Sequence, residues 1–185
     1  MIDYFALFGL ERRPLIDLES LGELYFRRSE QANRGSQGDR ATINEAFRTL
    51  SNPAARLDYL LRLQFGDLPP RQINPAFGAL FGQLANLLAR FDNALSKVAS
   101  QTSPLLRALH FQETASLQED LATLGAALLE QRNLLVNRIN ALNEKWPDHA
   151  SETRDDLAQI ALDLTFVDKW QQQLKERNLR LEELA

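Results

Sequence analysis

The sequence contains no cysteine among its 185 residues. Without thiols the chain cannot form disulfides, thiolate-bound zinc sites or cysteine-ligated iron–sulfur clusters, and it cannot use a cysteine nucleophile. Histidine is scarce as well: His110 lies beside Phe111 in an apolar context, and His149 follows a helix break in the segment KWPDHASE. Neither histidine stands at metal-ligand spacing from the other, so we interpret both as structural or solvent-exposed residues.

The sequence also lacks the local motifs of common catalytic sites. It has no phosphate-binding glycine loop, no nucleophile elbow and no paired-carboxylate motif. The acidic segment SETRDD, residues 151–156, fits the first turn of a helix, where carboxylates meet the positive end of the helix dipole. We therefore predict that the protein is not an enzyme and holds neither a cofactor nor a metal ion.

The sequence also lacks a net positive charge and long apolar runs. The net charge is −4 and the isoelectric point about 5.3, so no global basic field favours a nucleic acid partner. No apolar stretch reaches membrane-spanning length, and the segment MIDYFALFGLERRP lacks the basic region and longer apolar segment of a signal peptide. We expect a cytoplasmic protein that binds neither nucleic acid nor membranes.

Strand signals are almost absent, whereas leucine and alanine dominate, so the sequence predicts an all-α fold. Several helix starts carry a capping residue followed by proline at the first helical position. Further starts are predicted at Ser116, which has capping-box spacing to Glu119, and near Ser151, after the Trp146-Pro147 break. The capped starts are Asn52-Pro53, Asn74-Pro75 and Ser103-Pro104.

The first part of the chain reads as short helices, and the second part as long ones. We predict helices over 3–8, 17–32, 40–51 and 53–64, with a polar loop from Ala32 to Asp39. The segment QFGDLPPRQINP cannot continue a helix, which predicts a first domain over 1–65, a linker over 66–75 and a second domain over 76–185. The segment LLRALHFQETAS breaks the helical pattern, and whether it forms a separate short helix stays open.

The second domain carries three amphipathic patterns with short connections, which predict an antiparallel three-helix bundle. The first pattern is a packing seam with alternating spacings of four and three, and Leu80 and Leu87 widen its apolar face. The last helix carries a second apolar strip, Leu162, Phe166 and Trp170, beside its main stripe. These wide faces are either a thick bundle core or a docking surface for another protein. The seam consists of Phe77, Phe81, Leu84, Leu88, Phe91, Leu95 and Val98.

Three blocks of the chain resemble a known family. DYFALFGL, residues 3–10, and TINEAFRTLSNPAARLDYLLRL, residues 42–63, resemble the opening and the third-to-fourth helix region of a J domain. LDLTFVDKWQQQLKE, residues 162–176, resembles the last helix of the HscB co-chaperones, which serve iron–sulfur cluster assembly. The resemblance implies an HscB-like protein with a small J-like helical domain before the bundle.

In that family the J domain stimulates a DnaK-type chaperone through a His-Pro-Asp motif after its second helix. The motif should fall near residues 33–35 here, but the chain reads Asn33-Arg34-Gly35 and keeps none of the three. The J-like domain is therefore predicted to be degenerate, with ATPase stimulation lost. The residues that the resemblance leaves as candidate chaperone contacts are Arg27, Arg28 and Arg34.

The family's bundle presents an apolar patch to the cluster scaffold protein. LFGQL, residues 80–84, resembles the docking segment, and Phe166 matches the phenylalanine of the final helix. The resemblance thus implies scaffold binding by Leu80, Phe81, Leu84 and Phe166. Acidic positions that usually follow the docking segment are replaced by residues 85–88, Ala-Asn-Leu-Leu.

These observations support two hypotheses of different classes. The first is an HscB-like co-chaperone homologue whose bundle binds an iron–sulfur cluster scaffold protein. The second is a structural helical module that pairs with copies of itself, as a homodimer, and shares only ancestry with J proteins. A third hypothesis, an active co-chaperone with a different loop chemistry, would require chaperone stimulation that depends on Arg34.

Overall fold

The structure is a computed structural model that describes residues 2–32, 37–98 and 104–182. Within these ranges the chain forms seven α-helices and one short 3-10 helix, and no strand, so the predicted all-α class is confirmed. The helices are α1 (Tyr4–Phe8), α2 (Leu18–Ala32), α3 (Gln37–Ser51), α4 (Pro53–Phe65), the 3-10 helix (Pro75–Phe77), α5 (Gly78–Val98), α6 (Pro104–Asn143) and α7 (Ala150–Glu182).

The capping signals mark real helix starts. Asn52 caps α4 because its side chain accepts a hydrogen bond from the backbone N–H of Ala55, at 2.9 Å. Asn74 caps the 3-10 helix in the same way, by accepting from the N–H of Ala76 at 3.0 Å. The start predicted after the Trp146-Pro147 break is confirmed by α7, which begins at Ala150.

Two predicted boundaries differ from the structure. The predicted helix start at Ser116 is wrong, because α6 runs without interruption from Pro104 to Asn143 and includes the segment LLRALHFQETAS. Helix α3 begins at Gln37, three residues earlier than predicted, which shortens the predicted loop over 32–39. Residues 33–36 of that loop, with the candidate contact Arg34, lie outside the described residues.

The chain divides into two compact units. The first consists of Met1–Gln72 and Leu135–Thr165, and the second of Ile73–Leu134 and Phe166–Ala185. The first unit thus contains the four N-terminal helices together with the adjoining ends of α6 and α7. This division groups residues 135–165 differently from the domains expected at 1–65 and 76–185, which stay a prediction.

The core of the first unit forms where α2, α3 and α4 cover the short helix α1. Asp3 caps α1 by accepting from the N–H groups of Phe5 and Ala6, and it also accepts two hydrogen bonds from Arg12. The apolar side chains that these helices bury include Phe5, Phe8, Leu21, Ile43, Ala46, Leu50, Leu57, Leu60 and Leu61. This buried set supplies the main favourable free energy of folding of the unit.

The segment between α1 and α2 is held from two sides. Arg56 of α4 is only 3% exposed and donates to the backbone oxygens of Pro14, at 2.9 Å, and Leu50, at 2.7 Å. From the hairpin of α6 and α7, the indole Nε1 of Trp146 donates to the backbone oxygen of Arg12 at 2.6 Å. The turn between α6 and α7, which carries Trp146, is therefore part of the fold of the first unit.

Burial lowers the pKa of the Arg56 guanidinium from its ordinary value to about 10, since desolvation disfavours the charged form. The two backbone oxygens compensate part of this cost by accepting charge-assisted hydrogen bonds. Arg56 thus joins the α1–α2 segment to the α3–α4 corner.

The second unit is a helical bundle of α5 with the adjoining parts of α6 and α7. Arg90 of α5 pairs with Asp120 of α6 at 2.6 Å, and Arg132 of α6 pairs with Asp168 of α7 at 2.9 Å. The guanidinium of Arg177 lies 5.8 Å from the ring centroid of Phe91. The buried apolar set is Phe77, Leu84, Leu87, Phe91, Ala94, Leu117, Leu121, Leu124, Leu128, Val167, Trp170, Leu174 and Leu181.

The predicted packing seam of α5 is partly wrong. Phe77, Leu84 and Phe91 are buried as expected, but Phe81 is 58% exposed. Leu87, which was expected only to widen the face, is buried instead. The core face of α5 therefore lies to one side of Phe81, because 3.6 residues per turn move the buried stripe away from a strict seven-residue repeat.

None of the described helices combines the length and the hydropathy that a membrane-spanning helix needs.

Candidate functional site

An aromatic cluster surrounds Trp170 in the second unit. The ring centroids of Phe77, Phe81 and Phe166 lie 6.2, 6.0 and 6.1 Å from that of Trp170, at tilted or edge-on angles. Such separations and angles are the favourable arrangement for aromatic pairs, whose rings prefer edge contacts over a face-to-face sandwich. Trp170 is 4% exposed, so its indole is the buried centre that all three phenylalanines contact.

The members of this cluster differ in exposure. Phe77 is buried, Phe81 is exposed and Phe166 is half-buried; Leu80, which precedes Phe81 in the sequence, is half-buried as well. We call Leu80, Phe81 and Phe166 the aromatic patch. A phenylalanine that is largely exposed and yet rests on a buried tryptophan presents a fixed apolar surface to solvent.

Local sequence positions the patch. The Asn74 cap and Pro75 start the 3-10 helix that leads into α5, and this places Phe77 and Phe81 one turn apart. On α7, Phe166 and Trp170 are also four residues apart, so the two side chains lie on one face. Each i to i+4 spacing aligns two rings on one side, and the contacts of Phe77 and Phe81 with Trp170 of α7 bring the four rings together.

The structure places the predicted scaffold-binding residues at different depths. Leu80, Phe81 and Phe166 have exposed surface, whereas Leu84 is 3% exposed and packs in the bundle core. Trp170 contacts the rings of Phe81 and Phe166, and Phe77 contacts Trp170. The scaffold-binding set predicted from sequence did not include Phe77 or Trp170. Their spacing of four residues from Phe81 and Phe166 is the signal that could have identified them.

In the first unit the aromatic residues pair inside the fold. Tyr25 of α2 stacks on Phe47 of α3 with centroids 4.2 Å apart, and its hydroxyl donates to Asn44 Oδ1 at 2.9 Å. Tyr4 stacks on Tyr59 with centroids 4.5 Å apart, and the hydroxyl of Tyr59 accepts from the N–H of Tyr4 at 2.9 Å. All of these residues except Tyr25 belong to the blocks with J-domain resemblance, and the two pairs join α2 to α3 and α1 to α4.

The candidate chaperone contacts on α2 are exposed to solvent. Arg27 donates to Glu23 at 3.0 Å across one helical turn, with both side chains about two-thirds exposed, and Arg28 is exposed as well. Exposed pairs of this kind contribute little to stability. Phe26, which precedes Arg27 on α2, is 63% exposed, so this unit also has a phenylalanine open to solvent.

The histidines show no arrangement for catalysis or metal binding in the part of the chain that the structure describes. His149 lies on the surface, where its Nδ1 is 3.1 Å from Glu152 Oε1. The side chain of His110 lies outside the described residues. Among the described side chains, no three histidine or carboxylate groups gather as a metal site would require.

No protein-family model matches the chain. A solved structure, however, is similar to it. Chaperone HscB from Vibrio cholerae superposes with a TM-score of 0.62 at 18% sequence identity, covering 97% of this chain and 99% of that chain. The fold is HscB-like. This confirms the fold that the resemblance of residues 3–10, 42–63 and 162–176 implied.

Proposed function

We propose that this chain is an HscB-like co-chaperone homologue that binds an iron–sulfur cluster scaffold protein through the aromatic patch. The protein has no catalytic activity of its own in this proposal and acts in the cytoplasm. The observation that carries the proposal is the exposed ring of Phe81, held over the buried indole of Trp170 beside Phe166. The HscB-like fold and the residues matched to the family's docking segment support it.

The geometry of the patch suits a protein interface. Aromatic side chains in well-packed surroundings commonly dominate binding energies, because they bury a large apolar area and lose little conformational entropy. The contacts with the buried ring of Trp170 order the rings of Phe81 and Phe166 before binding. Preorganisation of this kind raises affinity by lowering the entropic cost of ordering side chains.

The proposal excludes chaperone stimulation as the main role of the J-like half. The sequence Asn33-Arg34-Gly35 replaces the activating motif, and Arg27 is paired with Glu23 on an exposed face. The internal pairs Tyr25–Phe47 and Tyr4–Tyr59 favour a preserved fold at the same time. We therefore assign the J-like half a structural role.

A binding titration tests the proposal. We expect the full chain to bind a purified iron–sulfur scaffold protein, and the double variant Phe81→Ala, Phe166→Ala to bind at least tenfold more weakly, since each anchor commonly contributes about 2 kcal/mol. Leu84 is left unchanged because a buried leucine would report on folding. Phe26→Ala is the matched control, because Phe26 is as exposed as Phe81 but belongs to the first unit. Equal affinity of the double variant and the parent would refute the proposal.

A self-associating helical module is the second candidate. Leu129, Leu134 and Leu179 of the second unit are each about half exposed, and an exposed leucine is a common element of a helical interface. Light scattering separates the two candidates. A stable dimer that dissociates on substitution of these leucines favours self-association, whereas a monomer with an intact aromatic patch favours scaffold binding.

A further inference from the structure

The stretch of chain around Phe81 has no charged residue. Residues 73–89, which cover the 3-10 helix and more than half of α5, contain no Asp, Glu, Lys or Arg. At the chain's average of 25% charged residues, a stretch of this length would hold about four. The absence matters because much of this stretch faces solvent, where charged side chains normally predominate.

The exposed positions of this stretch are small or uncharged. Ala85 and Ala89 lie one and two turns after Phe81 on the exposed side of α5, and Leu88 beside them is half-buried. We call Phe81, Ala85, Leu88 and Ala89 the uncharged face. It continues the aromatic patch along α5 with side chains that offer neither a charge nor a hydrogen bond.

The first charge on α5 lies away from this face. Arg90 follows Phe81 by nine residues, which is about two and a half turns, so it projects from the opposite side of the helix. There it pairs with Asp120 at 2.6 Å and lines a hollow of about 510 Å³ between α5 and α6. Exposed charges bound this surface at its ends: Asp92 lies about three turns after Phe81 on the same side of α5, and Lys169 of α7 lies one turn after Phe166.

From this distribution we infer that the partner meets the aromatic patch and the uncharged face with an apolar surface that carries no charge at its centre. The inference rests on the proposed function. A partner charge placed against Phe81, Ala85 and Ala89 would lose its hydration without meeting an opposite charge, which is strongly unfavourable. The uncharged face therefore selects against partners whose docking surface is charged.

Affinity with this chemistry is nearly independent of salt. Charge–charge attraction is screened over about 10 Å at 0.1 M salt and about 3 Å at 1 M, so interfaces that depend on ion pairs weaken as salt rises. Burial of apolar surface is not weakened in this way. Asp92 and Lys169 at the rim contribute at most a small salt-dependent part, because exposed ion pairs add little.

The test measures the dissociation constant of the full chain and a purified iron–sulfur scaffold protein at several salt concentrations. Between about 0.05 M and 0.5 M sodium chloride we expect a change of less than about twofold for the parent. Ala85→Glu is expected to weaken binding by about tenfold or more, because it places an unpaired carboxylate in the interface. Ala122→Glu is the control, since Ala122 is also exposed but lies on α6, where it lines a different hollow together with Lys175.

The outcomes separate this inference from the proposed function. Binding that weakens tenfold with salt, or that tightens in Ala85→Glu, overturns the inference and leaves scaffold binding intact. No binding at any salt concentration overturns both. A dimer of the chain that light scattering detects, and that Ala85→Glu dissociates, assigns the uncharged face to a second copy and also overturns the inference.

Discussion

The two units use their aromatic residues in opposite ways. In the first unit the tyrosines Tyr4, Tyr25 and Tyr59 stack in pairs, and the hydroxyls of Tyr25 and Tyr59 are hydrogen-bonded within the fold. In the second unit the cluster around Trp170 has no tyrosine, and Phe81 at its outer edge is exposed.

The contrast separates stability from binding. A ring whose polar group is satisfied inside the protein fixes one helix against another. A ring that is exposed and rests on a rigid floor leaves its apolar area for a partner. We thus interpret the J-like half as a structural part of the fold, and the aromatic patch as the docking surface. The following predictions test that division, from the largest expected effect to the smallest.

The largest effect is expected at Arg56 in the first unit. Arg56→Met fills much of the same space but leaves the backbone oxygens of Pro14 and Leu50 without their buried donor. An unsatisfied buried acceptor costs about 1 to 3 kcal/mol, so we expect the free energy of unfolding to fall by about 3 kcal/mol. Urea denaturation measures this change. A loss below about 1 kcal/mol would contradict the assigned role of Arg56.

The next effect concerns two equally exposed phenylalanines, one in each unit. Phe81→Ala is expected to weaken scaffold binding by about 2 kcal/mol, whereas Phe26→Ala leaves the affinity unchanged within about twofold. Neither variant should lower the unfolding free energy by more than about 1 kcal/mol, because both rings are largely exposed. Titration calorimetry gives the affinities. If Phe26→Ala weakened binding more than Phe81→Ala, the division between the units would be reversed.

A smaller effect is expected at Asp3. Burial alone would raise the pKa of its carboxyl, but hydrogen bonds from the N–H of Ala6 and from Arg12 outweigh burial and hold the pKa below its ordinary value of 3.8. Because the folded state holds its proton less tightly than the unfolded state, the carboxylate stabilises the fold above pH 3.8. This contribution is lost as the pH falls through the lowered pKa.

Two substitutions separate the parts of the Asp3 contribution. Asp3→Ala removes the helix cap and should cost about 1 kcal/mol at neutral pH. Asp3→Asn keeps a capping oxygen and loses only the charge, so its stability should approach that of the parent as the pH is lowered through the acid range. Denaturation at a series of pH values checks this. A difference from the parent that stays constant with pH would mean that the charge has no role.

The smallest effect is expected on the exposed face of α2. The double variant Arg27→Ala, Arg28→Ala removes the exposed pair with Glu23, which contributes about 0.3 to 0.5 kcal/mol. ATP turnover by a DnaK-type chaperone should be the same with the parent, with this variant and without either protein. Clear stimulation by the parent that the variant abolishes would restore the co-chaperone role of the J-like half.

The sequence predicted the helices and several of their starts because these depend on local chemistry. The Asn52 cap and the Pro53 start are correct, since the cap needs only the side chain of Asn52 and the backbone of Ala55. The Ser116 start is wrong because α6 already begins at Pro104, and no glycine or further proline stands between Pro104 and Ser116 to end the helix. A capping motif that no helix-breaking residue precedes does not have to start a new helix.

The candidate site was predictable only in part. Spacing and resemblance made Phe81 and Phe166 candidates, but they could not show which side chains the bundle covers. Phe81 and Leu84 belong to the same seven-residue repeat, yet Phe81 is 58% exposed and Leu84 is 3% exposed, because tertiary packing and not the repeat alone sets the buried side of α5. The role of Arg56 also depends on tertiary contact, because Pro14 is distant from it in sequence.

One measurement tests the central claim most directly: affinity purification of the full chain from its own cells, beside the Phe81→Ala variant, with identification of the bound proteins. The account predicts that an iron–sulfur cluster scaffold protein accompanies the parent, is strongly depleted with the variant, and comes without a DnaK-type chaperone. Recovery of a DnaK-type chaperone without a scaffold, or equal recovery of the scaffold with both forms, would contradict it.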